Sequence, residues 1–287
     1  MRRDIIGAEN AEFQIIQALK LSRVKRGETG EIFIEGIEAV KMAVKAKLEI
    51  TRIITAASGG PAGGSVPPPG PFRPQGGLSQ WALDLIRDNP RARVLEMAGP
   101  LYEKLCDRSE PLELLATAKM RSMGLGELSL PEKPCILLFD RPSDAGNLGS
   151  TIRSVNAMGG DAVFILGHGV DSWDPKVIRS SLGAVFFTPI VLLRSNEELG
   201  GFIAEQKERN GLRVWGTDSK GAVPLDEAGL CRPLLLVIGN EARGMSVALR
   251  RFCDGIAGIP LSGDVNSLNA ACAAGICLWE VYRRAMK

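Results

Sequence analysis

The apolar positions of this chain recur with two periods, and the periods alternate. Residues 10–21 place Phe13, Ile16, Ala18 and Leu21 at helical spacing, and 37–47 repeats that spacing. Between them, 31–35 (EIFIE) alternates in the manner of a half-buried strand, and 50–56 (ITRIITA) is again strand-like. A helix near 79–87, a strand near 92–98, a helix near 100–106 and a strand near 113–119 follow, so the spacing predicts an α/β unit over 1–120. One stretch inside it breaks every period. Residues 58–77 read SGGPAGGSVPPPGPFRPQGG, and glycine and proline at that density cannot build a core element. The stretch is expected as a flexible loop inserted in the unit.

Residues 121–132 are polar and glycine-bearing and read as a linker. Over 133–287 the pattern changes to short continuous apolar runs: 135–139 (CILLF), 162–166 (AVFIL), 185–193, 212–215, 234–238 (LLLVI) and 256–259. Helical stretches separate several of them. Runs of that length with helical crossovers predict a parallel sheet buried on both faces. No repeat of fixed period is present.

Composition bounds the chemistry. Of 287 residues, 45% are hydrophobic and 24% charged, enough to bury a core and to exclude wholesale disorder. The net charge of +2 means that any nucleic-acid surface must be local. Lys20, Arg23, Lys25 and Arg26 form such a local cluster and are expected to hold RNA phosphates, although the end of a solvated helix would look the same. The six cysteines contain no C-x-x-C pair and His168 is the only histidine, so reduced thiols and no metal site are expected. The charged start lacks the apolar core of a signal peptide, and no apolar run is long enough to span a bilayer. A cytoplasmic location without membrane attachment is expected.

Ligands of open α/β sheets sit at the carboxyl ends of strands, and three turns there carry glycine, asparagine and serine. The first, after CILLF, runs from Asp140 through Gly146, Asn147, Gly149 and Ser150 to Arg153. A helix N-terminus with an arginine beside it suits a phosphate. A capped βα turn with a surface arginine would have the same sequence. The second, after LLLVI, is Gly239-Asn240-Glu241-Ala-Arg243-Gly244. Its glycines permit close backbone approach, but it is neither a Walker loop nor a G-x-G-x-x-G turn. The third runs from Ile259-Pro260-Leu261 to Ser267-Leu268-Asn269 and opens an alanine-rich helix, whose small face would also serve plain close packing.

Together these three segments resemble the motifs of the SpoU/TrmH-type RNA 2′-O-ribose methyltransferases of the SPOUT superfamily. Asn147, Gly149 and Arg153 match the first motif. Gly239, Glu241 and Gly244 match the second, and Ile259, Pro260, Leu261, Ser267, Leu268 and Asn269 the third. Leu261 stands where methionine is common, and Ala242-Arg243 differs from the usual second motif. The resemblance implies a parallel-sheet domain whose C-terminal chain forms a deep trefoil knot, behind a smaller N-terminal α/β substrate-binding domain. It implies S-adenosyl-L-methionine as cofactor, RNA as substrate and a homodimer, to which Trp279, Val281 and Tyr282 on the last helix would contribute. It places Arg153, Asn147, Glu241, Ser267 and Asn269 at the chemistry. Gly239, Asn240, Gly244, Ile259, Leu261, Leu268 and Thr217 are expected at the cofactor. The N-terminal domain and the segment from His168 to Pro189, with Ser180, Ser181 and Gly183, point to the ribosomal-RNA branch. A tRNA ribose methyltransferase and a catalytically silent RNA-binding protein of the same fold are the alternatives. Arginine has too high a pKa for an easy base, so Arg153 is expected to bind phosphate and stabilise a developing alkoxide.

Overall fold

A computed structural model describes residues 3–57, 78–107 and 112–286, and every count below refers to these. The loop expected over 58–77 lies outside them. The chain divides into two units, Met1–Arg121 with Trp173–Pro175, and Ser122–Ser172 with Lys176–Lys287.

The first unit follows the order β1 (Arg3–Ile6), α1 (Ala11–Leu21), α2 (Arg23–Thr29), β2 (Glu31–Ile34), α3 (Ile37–Lys45), β3 (Ile50–Ala56), α4 (Gln80–Asp88), β4 (Arg93–Met97), α5 (Gly99–Leu105) and β5 (Leu114–Lys119). Its sheet has the order β1-β4-β3-β5-β2. The first three strands are parallel to one another, and β5 is antiparallel to both β3 and β2. Phe13, Ile16 and Leu19 of α1 are fully buried against Phe33, Ile54, Leu95 and Leu115 of the sheet. Strand β1 escaped the pattern because it offers the core a single apolar side chain, Ile6, while Ile5 is 78% exposed.

The basic cluster does not present itself as expected. Ser22 ends α1 and its side chain caps α2 by accepting from the Lys25 amide, so the chain turns back sharply. Arg26 is thereby carried under the C-terminus of α1. It is 2% exposed, and its guanidinium donates to the carbonyls of Leu19 (2.8 Å) and Lys20 (3.2 Å). These are carbonyls that a helix end leaves without partners. The Lys20 ammonium pairs with Asp107 at 2.7 Å, with 9% of its side chain exposed. Arg26 and Lys20 are therefore withdrawn from any RNA surface.

The second unit contains β6 (Cys135–Asp140), α6 (Ala145–Ala157), β7 (Ala162–Leu166), α7 (Pro175–Ser180), β8 (Ile190–Leu193), α8 (Asn196–Asn210), β9 (Arg213–Thr217), β10 (Val223–Pro224), β11 (Leu234–Ile238), α9 (Val247–Arg250), β12 (Gly255–Gly258) and α10 (Ala270–Ala285). All seven strands are parallel, in the order β10-β12-β9-β11-β6-β7-β8. Strands β6, β7 and β11 are buried at every position, as continuous apolar runs require. Two expectations need adjustment. The 185–193 run is not one strand, because Ala184–Phe186 forms a 3-10 turn after Gly183 in the left-handed region and only Ile190–Leu193 joins the sheet. In the stretch read as a linker, Leu125, Leu128 and Leu130 pack on the core of this unit.

Register brings the three motifs level. Phe139 of β6 pairs with Ile238 of β11, Val237 with Gly216 of β9, and Thr217 with Ala257 of β12. The residues that follow these positions, Asp140, Gly239, Asp218 and Gly258, leave one edge of the sheet together.

The packing of Arg26 gives a first expected outcome. Arg26→Ala strips donors from two helix-end carbonyls and should cost about 1–3 kcal/mol of stability, read by urea unfolding followed at a probe in the first unit. A variant as stable as the wild type would show that the guanidinium contributes nothing there.

Candidate active site

The first motif opens α6. Asp144 caps the helix by accepting from the Asn147 amide at 2.7 Å. Gly149 is needed for contact. A Cβ there would lie 1.9 Å from Ser180 Oγ and 2.7 Å from the Val177 carbonyl, so α6 rests directly on α7.

The second motif is a closed loop. Asn240 and Gly244 exchange backbone hydrogen bonds of 3.1 and 2.9 Å, and Gly244 sits at φ +66°. Asn240 Oδ1 accepts from the amides of Ala242 and Arg243, and its Nδ2 donates to the Arg141 carbonyl at 2.7 Å. The unusual Ala242-Arg243 pair is thus held by its backbone alone. At Gly239 a Cβ would stand 2.4 Å from the Met245 nitrogen and 2.6 Å from the Gly244 carbonyl carbon. The glycine is required by the loop itself, before any ligand arrives.

Glu241 joins this loop to the first motif. Its carboxylate accepts from the Ser143 amide (3.0 Å) and hydroxyl (2.7 Å), the Asp144 amide (3.2 Å) and Asn147 Nδ2 (3.2 Å). Burial by itself would raise its pKa, but these bonds, led by the Ser143 hydroxyl, outweigh it and hold the carboxyl below its ordinary range. Asn147 Oδ1 then accepts from Asn269 Nδ2 at 2.7 Å, while Asn269 Oδ1 caps α10 through the amides of Ala271 and Cys272. One chain of hydrogen bonds, Glu241–Asn147–Asn269, ties all three motifs.

Behind that chain lies a cleft of about 360 Å³. Ile238, Ala257, Ile259, Leu261, Leu268 and Ala273 give it an apolar wall, and Thr217, Asp218, Ser219 and Ser267 a polar rim. Gly239, Asn240, Glu241, Ala242, Gly244, Asn147, Asn269 and Ala270 complete the lining. Thr217 is fixed by its hydroxyl, which donates to the Val237 carbonyl at 3.0 Å. Size and lining suit a nucleoside-sized ligand with an apolar face and a hydroxylated end.

A family model described as the SpoU rRNA Methylase family matches residues 134–279. The chain belongs to the SpoU rRNA methylase family. The 23S rRNA (uridine(2479)-2′-O)-methyltransferase of Streptomyces viridochromogenes is 34% identical over 97% of this chain and 92% of its own length. The crystal structure of the SpoU methyltransferase AviRb from the same organism, in complex with AdoMet, superposes with a TM-score of 0.85 at 33% identity, over 97% of this chain and 99% of that one. An AdoMet-bound rRNA methyltransferase from Sinorhizobium meliloti shares the fold, with a TM-score of 0.80 at 24% identity over 99% of each chain.

In this family member the expected site residues separate into three groups. Glu241, Asn147 and Asn269 are committed to one another and to backbone amides, which makes them positioning residues for the loops around the cleft. Ser267 is exposed on the cleft rim with its hydroxyl available. Arg153 is exposed on α6, holds no side-chain hydrogen bond or ion pair among the described residues, and does not line the cleft. It follows Asn147 by six residues, so the helical period of 3.6 turns it to another face of α6. Asp218 and Ser219 line the cleft without having been expected. Their position directly after a strand, at the edge where the motifs emerge, was the available signal. Asp218 also pairs with Arg250 of α9.

Two outcomes are expected. Glu241→Gln should destabilise the junction of the motifs by about 1–3 kcal/mol at neutral pH, because an amide cannot accept all the donors that a carboxylate does. The folded-state pKa is depressed, so the carboxylate's contribution is complete above the ordinary value of about 4.3 and is lost as pH falls through the lower folded value. Urea unfolding of both proteins at neutral pH and in that acid range should show the gap narrowing in acid, and a pH-independent gap would assign the loss to shape. Gly239→Val should lower the melting temperature as well as abolish binding of S-adenosylmethionine in calorimetry. Lost binding with unchanged melting would instead make Gly239 a ligand-contact position only.

Proposed function

We propose that this chain transfers a methyl group from S-adenosylmethionine to a ribose 2′-hydroxyl of large-subunit ribosomal RNA. The observation that carries the reading is the strand-end cleft lined by all three motifs together. The similarity to a 23S rRNA uridine 2′-O-methyltransferase along nearly the whole chain favours ribosomal RNA over tRNA. The cofactor supplies an electrophilic methyl on a sulfonium. Its apolar and hydroxylated parts match the wall and rim of the cleft, with Gly239, Asn240, Gly244, Ile259, Leu261, Leu268 and Thr217 around it.

The residues of the chain then have to hold the ribose oxygen in line with that methyl and manage one proton. Ser267 orients the ribose, while the bonded chain of Glu241, Asn147 and Asn269 keeps its loop in place. Arg153 stabilises the developing alkoxide and the adjoining phosphate. Its place outside the cleft of its own chain calls for a second copy to deliver it. Trp279 and Tyr282, 48% and 40% exposed on α10, together with Ile276 at 39%, are an apolar stripe through which a homodimer can form. Strand order supports a deep trefoil knot: after β12 the chain crosses back past β9 and β11, so that α10 packs on α6. The first unit is the substrate-binding domain; of its basic cluster, Arg23 is exposed and Lys25 is half-buried beside Glu28, with which it pairs. No described helix is long and apolar enough to cross a membrane, and all six cysteines are free, which suits work in the cytoplasm.

The test is methylation of a protein-free 23S rRNA transcript and of a tRNA pool, read by mass spectrometry of nucleosides. Methyl on a ribose of the 23S transcript is expected, and methyl only on tRNA would reverse the substrate. Arg153→Ala should cut turnover by about 10²–10³ with cofactor affinity nearly intact, and Arg153→Lys should restore little, since an ammonium is not a bidentate fork. Mixing Arg153→Ala with Asn269→Ala chains should recover activity if Arg153 acts on the partner's cleft. A mixture as inactive as its components would confine Arg153 to its own chain.

A further inference from the structure

A second cleft, of about 620 Å³, lies across the second-motif loop from the first, sharing Asn240 and Ala242 with it. Its other lining residues are Arg141, Pro142, Ser143, His168, Gly169, Val170 and Arg243. The reaction as described uses none of its cationic groups.

The cleft is a built feature. The loops after β6 and β7 are laced together by two backbone bonds, Arg141 N–H to the Leu166 carbonyl (3.0 Å) and Val170 N–H to the Pro142 carbonyl (2.9 Å). Glycines flanking His168 let them approach. A Cβ on Gly167, at φ +79°, would lie 2.8 Å from Arg141 Cγ, and one on Gly169 would lie 2.8 Å from the Pro142 carbonyl oxygen. Arg141 itself stands at φ +48°, a left-handed conformation that a residue with a side chain adopts at a cost.

The charge is one-sided. Asp140, 2% exposed, grips the Arg141 guanidinium through Nε at 2.8 Å and Nη2 at 3.0 Å, and also accepts from the Ser246 amide. The third guanidinium nitrogen of Arg141 is left for a ligand. Arg243 is exposed with no side-chain bond among the described residues, and His168 is exposed at the rim. Two carboxylates adjoining the cleft, Asp140 and Glu241, are each engaged by several protein donors. Two guanidinium groups and an imidazole around an open cleft, next to the cleft that takes the reacting ribose, match a phosphodiester.

We propose that the cleft of Arg141, His168 and Arg243 binds a backbone phosphate of the RNA strand whose ribose enters the first cleft. The inference rests on the proposed methyl transfer to RNA. It makes this cleft the fixed point that sets which nucleotide reaches the cofactor.

The experiment measures affinity of the full chain for a protein-free 23S rRNA transcript over a series of KCl concentrations. The proteins are the wild type, Arg243→Ala, Arg243→Lys, Arg243→Ala/His168→Ala, and Arg209→Ala as a control for the loss of one exposed positive charge, on α8. Arg243→Ala should weaken binding and reduce the slope of log affinity against log salt by about 0.7–0.9, the share of one phosphate contact. Arg243→Lys should keep the wild-type slope, the double variant should fall further in affinity, and Arg209→Ala should match the wild type. A slope for Arg243→Ala equal to that of Arg209→Ala would overturn the proposal. So would a loss confined to S-adenosylmethionine affinity, which would give the cleft to the carboxylate of the cofactor. Because binding is read apart from turnover, a wild type that binds the transcript but methylates nothing would overturn the proposed reaction and leave the phosphate cleft standing.

Discussion

The Glu241 carboxylate is the interaction on which the rest of the site depends. It accepts four hydrogen bonds from segments nearly a hundred residues away in sequence, and it does so as an anion. Charge-assisted bonds of this kind are stronger than neutral ones, and the cost of leaving their donors without a partner adds to the penalty of losing them. Asn147 passes the constraint on, since one end of its amide is bound to Glu241 and the other to Asn269. Asn269 in turn caps a helix of 16 residues. A single acceptor thereby fixes the start of α6, the loop after β11 and the start of α10, which are the walls of the cleft.

That arrangement is possible because side chains are missing where backbones meet. Gly149 lets α6 touch α7, and Gly239 lets the second-motif loop close on itself. Gly221 does the same beside β12, where a Cβ would lie 2.3 Å from the backbone of Ala257 and Gly258. Ala270 and Ala273 bring the first turn of α10 up to the cleft. Each of these glycines is required by the protein's own packing, before any ligand binds.

Charge is distributed with the same economy. In the first unit, Arg52 is held between Glu12 and Glu31, and Arg93 between Glu12 and Asp4. Arg26 and Lys20 are engaged as well, so these four cations of the first unit are held by partners within it. Arg153 and Arg243 of the second unit are exposed guanidinium groups without an internal partner among the described residues. A net charge near zero is thus compatible with an RNA enzyme, because what matters is which charges lack partners inside the protein.

The sequence by itself determined the class of fold and the identity of the motifs. Buried parallel strands require continuous apolar runs, and CILLF, AVFIL and LLLVI could hardly be anything else. Turns after such strands are where ligands bind, so Gly239, Asn147 and the Ile259–Asn269 stretch stood out, and a family resemblance resting on three ordered motifs needed no coordinates. Strand β1 was hidden because an edge strand with one buried residue leaves no period to read. Tertiary structure alone decided which polar residues were spent. Asn147, Glu241 and Asn269 carry the same side chains whether they face a substrate or one another, and only the level ends of β6, β11 and β12 bring them within bonding distance. Arg26 and Arg153 differ in no property of sequence. One lies under the end of α1, where Ser22 ends the helix, and the other is exposed on α6; hydrogen-bond partners of that kind are set by distances across the fold that no local pattern encodes.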